Sequence, residues 1–254
     1  MMPRRRPLVL MYHGVGDRSP KSDPYHLFVA QDRIRRQLTT LLDHGWTPLP
    51  LDAYLSGDTP PRSVLLTFDD GYRGMVDEGL PLLRELGVPA TVFVLTGLIG
   101  DRSRWMPKMP AEPLVSAEDI QEMVRSGLDV ECHGWDHSSL VAADEETLQR
   151  NVTEAARVLG GLTGRRPRAF AYPYGEHDEK ARQVVAKAGF AVAFSTHTAA
   201  GPYAVPRVDV NSTDTDATFW LKTLRGYRVL RRGTGLVPGL RPALHSLLGR
   251  APQS

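Results

Sequence analysis

The sequence predicts an α/β fold, a distorted (β/α) barrel of about seven parallel strands, and three observations carry that prediction. Short apolar runs alternate with amphipathic stretches that end in glycine, the pattern of strands joined by helical crossovers. Such crossovers are right-handed and lay parallel strands side by side, so about seven of them suit a closed or nearly closed barrel. Finally, the residues best equipped for chemistry fall just after apolar runs, and a parallel barrel gathers its functional groups at the strand C-termini.

In chain order, Leu8–Tyr12 reads as a buried strand with His13 at its end. Residues 31–44 read as a helix, with Ile34, Leu38, Leu41 and Leu42 on one face before Gly45. Ser63–Phe68 is a short apolar strand that delivers Asp69 and Asp70, and Leu80–Leu86 is a helix stopped by Gly87. Residues 90–94 form the next strand. The segment 102–113, rich in proline and methionine and containing Trp105, interrupts the alternation and reads as a loop over the rim that lines a cleft. A helix over 116–126, capped by Ser116, precedes the strand Asp129–Cys132, which leads into His133. A helix near 145–159, a strand at 169–172, a helix near 178–187 and strands near 191–194 and 205–208 complete the series. No internal repeat or low-complexity linker divides the chain, so residues 1–216 are expected to form one domain.

With 254 residues, 41% of them hydrophobic and 24% charged, the chain can bury a sizeable core. Its single cysteine, Cys132, excludes an intramolecular disulfide and reads as a small buried residue. The apolar run after Arg4, Arg5 and Arg6 is too short for a signal-peptide core or a membrane span, which sets a cytoplasmic location as the expectation. After Asp216 all seven charged residues are basic, although the whole chain carries only +2. Residues 217–254 therefore read as a basic, partly helical extension that packs on the domain or trails it, with Trp220, Leu224 and Tyr227 on one helical stripe. It offers either a solvated face or a weak contact for an anionic surface. No nucleic-acid partner is expected, and the sequence carries no signal for an oligomeric state.

His133 and His137, four residues apart, can converge on one divalent cation from a helical turn, while an aspartate from another segment supplies a third ligand and leaves positions open for water. Metalloproteases use the same spacing but place a glutamate base directly after the first histidine, where this chain has Gly134. The base must come from elsewhere. Asp69 and Asp70 offer a division of labour in which one carboxylate binds the cation and the other takes a proton from its water.

These motifs resemble those of polysaccharide deacetylases of the NodB-homology, carbohydrate esterase family 4 type. The resemblance covers most of residues 8–210 and rests on Thr67-Phe68-Asp69-Asp70-Gly71, on His133 to His137, and on Phe170-Ala171-Tyr172-Pro173-Tyr174-Gly175. It implies Asp69 as general base, Asp70, His133 and His137 as ligands of Zn2+ (with Co2+ or Ni2+ as alternatives), and the backbone N–H of Tyr174 as oxyanion donor. It also implies an N-acetylated saccharide as substrate, of the N-acetylglucosamine kind. Many relatives carry an arginine where this chain has Ala171, and that arginine orients the base. Arg207, at the end of a later strand, is the candidate replacement, against the alternative of an ordinary surface salt bridge. The C-terminal Leu-x-His motif that carries the acid is not evident, and His245, directly after Leu244, is a poor substitute. His13 is the better acid, as resemblance to the permuted, biofilm-polysaccharide-type members implies.

Other residues read more plainly. His44, His177 and His197 are expected in loops or on the surface, Asp136 as the cap of the turn after it, and Tyr72 and Arg73 as cleft-shaping residues. Trp135 either packs on the barrel or stacks on a sugar. Two histidines and a carboxylate also bind iron in oxygenases, but those sites sit in β folds, and this chain alternates strands with helices. Hydrolysis of another linear or cyclic amide, or glycan binding without catalysis, remain the alternatives to N-deacetylation.

Overall fold

The computed structural model describes residues 7–57, 59–196, 198–224 and 227. The chain starts with β1 (Leu8–Tyr12), which is wholly buried, followed by two short strands, β2 (Gly14–Val15) and β3 (Phe28–Val29), that pair with each other. Helix α1 (Gln31–Asp43) turns Ile34, Leu38 and Leu41 inward together with Gln37, whose side-chain oxygen accepts the Tyr12 hydroxyl at 2.9 Å. After β4 (Thr47–Pro48) and α2 (Leu51–Ser56) comes β5 (Ser63–Phe68), an unbroken buried run as a strand covered on both faces requires. A π-helical turn at Met75–Gly79 leads into α3 (Leu80–Leu86), which ends at Gly87 with φ 63°. Next come β6 (Thr91–Val94) and α4 (Ala117–Arg125). The Ser116 hydroxyl accepts the Asp119 N–H at 3.2 Å and the Asp119 carboxylate accepts the Ser116 N–H at 2.9 Å, a reciprocal cap whose loss costs about 1 kcal/mol.

β7 (Asp129–Cys132) is followed by α5 (Glu145–Leu148), which runs through a π-helical segment at Gln149–Glu154 into α6 (Ala155–Thr163). Then come β8 (Ala169–Ala171), α7 (Glu179–Lys187), β9 (Val192–Ser195), β10 (Val205–Pro206) and β11 (Val208–Asp209). Strands of the main sheet run in the order β10-β9-β8-β7-β6-β5-β1-β11, with β4 beside β5 and every pairing parallel.

The two edges of that order are consecutive in the chain. Pro206 pairs with Ser195 of β9, Val208 pairs with Leu10 of β1, and only Arg207 stands between. One segment thus closes the barrel by changing partners at Arg207, and counting β10 and β11 as one stave gives the seven that the sequence predicts. Val9, Leu65, Phe93, Ala169, Ala171, Val192, Phe194 and Val205 fill the interior as one cluster. Glu131, registered with Phe93, shares that inward face and is fully buried. It accepts Arg165 Nη1 at 2.9 Å and the N–H groups of Arg168 and Ala169 at 2.6 and 2.9 Å, so the N-terminal end of the barrel is plugged by a satisfied carboxylate.

The described residues fall into two units, one through Thr213 and one from Asp214. In the second, α8 (Asp216–Thr223) is capped by Thr215 and ends at Leu224, whose backbone is extended (φ −70°, ψ 140°). Leu224 therefore does not continue the helix, and the expected stripe from Trp220 to Tyr227 is not carried by one helix. Arg225, Arg228, Arg231, Arg232, Arg241, His245 and Arg250 lie outside the described residues, as does His197. No helix among the described residues is long and apolar enough to cross a membrane.

Candidate metal centre

Three strand ends build the site. β5 ends in Asp69 and Asp70, β7 in the turn from His133 to His137, and β8 in the turn around Tyr174. Asp70, His133 and His137 are buried, and each offers a ligand atom within 4.8 Å of the others. Asp70 Oδ1 lies 3.1 Å from His133 Nε2 and 3.3 Å from His137 Nε2. His133 Nδ1 donates to the Ala171 carbonyl at 2.8 Å, which leaves Nε2 as the acceptor nitrogen. A lone pair on Nε2 against a carboxylate oxygen is repulsive unless a proton or a cation stands between them, and Asp70 Oδ1 has no hydrogen-bond partner among the described residues. An open three-ligand set of two imidazoles and a carboxylate fits a divalent cation of the zinc kind. Burial pushes the His137 imidazole down, toward the neutral form a cation needs.

The histidines do not sit on a helical turn, which corrects the sequence reading. Gly134 has φ 97° and His137 φ 66°, and the Trp135 N–H donates to the side chain of Asn151 at 2.8 Å. The tip of β6 fixes the same turn from the other side, through Thr96 N–H to Gly134 O at 3.1 Å and Gly97 N–H to Trp135 O at 2.9 Å. Asp136 accepts the Ser138 N–H at 3.1 Å, the expected local cap. Trp135 packs against Gly97, where an added Cβ would lie 2.2 Å from the indole nitrogen. Asp70, His137 and Tyr174, with φ of 72°, 66° and 58°, adopt left-handed backbone at this one site. Strain of that kind costs on the order of 1 kcal/mol per residue and persists where surrounding structure enforces it.

Asp69 is buried against Arg207. The guanidinium donates from Nη1 to Oδ1 at 2.7 Å and from Nη2 to Oδ2 at 2.6 Å, and Nη1 also reaches Thr67 Oγ1 at 3.1 Å. Its carbon lies 5.7 Å from the Phe93 ring and 5.9 Å from that of Phe194, both of the interior cluster that also holds Ala171. Arg207 is thus no surface salt bridge. Burial alone would raise the Asp69 carboxyl, but Arg207 and then His133 outweigh it and hold it below the ordinary aspartate range.

His13 is half-buried just after β1, one residue beyond the Tyr12–Phe68 register pair, beside the end of β5 that carries Asp69 and Asp70. Tyr174, 49% exposed, sets its ring edge-on to His137 with centroids 4.4 Å apart. Two residues that the sequence placed only as cleft-lining or cleft-shaping stand at the ligand set itself. The Trp105 indole stacks on His137 at 4.6 Å and 11°, and the Tyr72 phenol, raised by burial and then by the charge of Asp70, lies beneath the same rim. The proline-rich rim segment was the only sequence signal for Trp105. Arg73 turns away to Asp77 and Asp119, both at 3.5 Å. His44 bonds its own helix through Thr40 O at 2.8 Å, and His177 is held between Arg182 and Thr198 at 2.9 and 3.0 Å, so neither joins the cluster. Cys132 is buried and free, its thiol pushed up to about 12 by burial.

Comparison with known proteins places the chain in a family. A poly-beta-1,6-N-acetyl-D-glucosamine N-deacetylase of Staphylococcus aureus is 28% identical over 198 residues, covering 71% of this chain and 67% of its own length. Among solved structures, the Streptococcus pyogenes deacetylase PplD superposes with a TM-score of 0.75 at 21% identity, over 87% of this chain and 100% of that one. IcaB from Ammonifex degensii superposes with a TM-score of 0.71 at 25% identity, over 85% and 96% of the two chains. The model of the polysaccharide deacetylase family matches residues 56–193, a span that holds all three motifs of the site. The chain is accordingly a member of the polysaccharide deacetylase family, of the NodB-homology, carbohydrate esterase family 4 type, and a hydrolase of carbon–nitrogen amide bonds.

Proposed function

We propose that this chain removes the N-acetyl group from an amino sugar of an N-acetylglucosamine-containing glycan or saccharide intermediate, releasing acetate and leaving a free amine. The observation that carries the reading is the pairing of a buried Asp-His-His set with a second, separately oriented carboxylate, Asp69. Asp70, His133 and His137 would hold a divalent cation, Zn2+ before Co2+ or Ni2+. When bound, such a cation makes water acidic and polarises a carbonyl oxygen.

The remaining work falls to the protein. Asp69, kept ionised by Arg207, accepts the proton of the attacking water. Each Asp69 oxygen gives one lone pair to the guanidinium and keeps another for that proton. The Tyr174 N–H, carried on left-handed backbone, donates to the oxyanion that develops on the acetyl carbonyl. His13 delivers a proton to the departing amine. With Arg207 on Asp69, the short side chain at Ala171 no longer argues for a glycan-binding module without catalysis.

Acetate release from a panel of N-acetylated saccharides and simple amides, under defined metal loading, tests this. Asp69→Asn and His133→Ala are each expected to lower turnover by at least about 100-fold. Unchanged specific activity in both variants would show the site to be wrong, and His13→Ala with near-full turnover would remove His13 from the mechanism.

A further inference from the structure

The two histidines of the cluster are held by different means. His133 is fixed by its Nδ1 hydrogen bond to the Ala171 carbonyl at 2.8 Å, whereas the buried Nδ1 of His137 has no hydrogen-bond partner among the described residues. Metal-binding histidines ordinarily give that second nitrogen to a carbonyl or carboxylate, which sets the angle of the ring. At His137 the ring is instead enclosed by aromatic groups. Trp105 lies flat on one face at 4.6 Å and 11°, and Tyr174 and His133 meet it edge-on at 4.4 and 5.2 Å.

Trp105 can serve this way only if its own support is rigid, and it is. The two ends of the rim segment meet in an antiparallel bridge between Arg102 and Pro113, closed further by Ser103 N–H to Glu112 O at 2.8 Å and Glu112 N–H to Ser103 Oγ at 3.0 Å. Arg18 grips Glu112 through Nε and Nη2 at 3.3 and 3.1 Å. Beneath the indole lie Phe28, Tyr72 and Leu114, all nearly inaccessible. One indole face is committed to the imidazole, so that face is not a sugar-stacking surface.

We propose that Trp105 is a positioning residue for His137, its indole holding the imidazole in the cation-binding orientation that no hydrogen bond from the described residues secures. The proposal rests on the metal-centre reading above. It makes the rim segment part of the metal site, so that whatever displaces the rim loosens one ligand of three.

Cobalt titration of the purified chain, followed by the visible absorption of the bound ion, is the test, with Trp105→Leu and Trp105→Phe beside wild type. Trp105→Leu is expected to bind cobalt at least about 10-fold more weakly and with altered band intensities, the usual size of an outer-shell loss at a metal site. Trp105→Phe, which keeps a stacking ring, is expected to restore most of the affinity and the wild-type spectrum. Affinity and spectrum of Trp105→Leu indistinguishable from wild type overturn the proposal, and so does equal loss in both variants. Failure of wild type itself to take up cobalt sinks the metal-centre reading and this proposal with it. A measurement on zinc-loaded wild type needs no substitution: the His137 ring protons are expected upfield under the indole ring current, and ordinary imidazole shifts for them overturn the stack.

Discussion

Removing the guanidinium of Arg207 leaves the buried Asp69 carboxylate without its countercharge. Arg207→Met is therefore expected to destabilise the chain by about 3–5 kcal/mol, the cost of breaking a buried pair by one partner. Asp69→Asn in the same chain should recover part of that loss, because the uncompensated charge goes with it. Arg207→Lys keeps the charge but not the two-point grip, so turnover should fall by about 10-fold or more while cobalt affinity stays near wild type. Urea denaturation and steady-state kinetics of the four proteins check this, and an Arg207→Met variant as stable as wild type refutes it. The sequence offered Arg207 as the partner of Asp69 but could not choose between that pairing and a surface salt bridge, since 138 positions separate the two and only barrel closure brings them together.

At the scale of elements, the segments whose residues carry the signal themselves were readable. β1 and β5 fall at the residues their apolar runs mark, because a strand buried on both faces is apolar throughout, and α3 ends where Gly87 stops it, whereas β7, with Asp129 and Glu131 among its four residues, was placed by its position between Gly127 and His133. The pair β2 and β3, the strand β4 and the helix α2 were not readable, being too short for any period to show. The turn from His133 to His137 misled for another reason. Its shape is imposed by Asn151, from the π-helical segment between α5 and α6, which is 1% exposed and also donates to Thr147 O at 3.2 Å. Asn151→Leu leaves the Trp135 N–H unsatisfied and is expected to cost about 1–3 kcal/mol. Denaturation with and without cobalt should show the larger loss in the loaded protein, because the turn that spaces two ligands is what relaxes. An equal loss in both states would assign Asn151 to the fold alone.

For the whole molecule, pH acts at opposite ends of the barrel with opposite sign. Burial raises Glu131 to about 7 from the ordinary 4.5, against the donors from Arg165, Arg168 and Ala169. The folded chain therefore holds this proton more tightly than the unfolded one, and the stability so gained is full below about 4.5 and lost as pH rises through about 7. Asp69 and Asp70 are lowered, so their contribution is present at neutral pH and lost on acidification. The melting-temperature difference between wild type and Glu131→Gln should consequently narrow from about pH 5 to about pH 8. A widening difference would mean that attraction to Arg165 and Arg168 outweighs the burial of the carboxylate.

The partner change at Arg207 also sets an order of events during synthesis. When His137 is added to the nascent chain every proposed cation ligand has been made, yet Arg207, which grips Asp69, is still 70 codons away. Closure by Val208 against Leu10 joins parts of the chain nearly its full length apart, the kind of contact that forms late. The proposed ligands are thus made first, the residues that hold them (Asn151 and Ala171) next, and the arginine that orients the base last, with the closing stave.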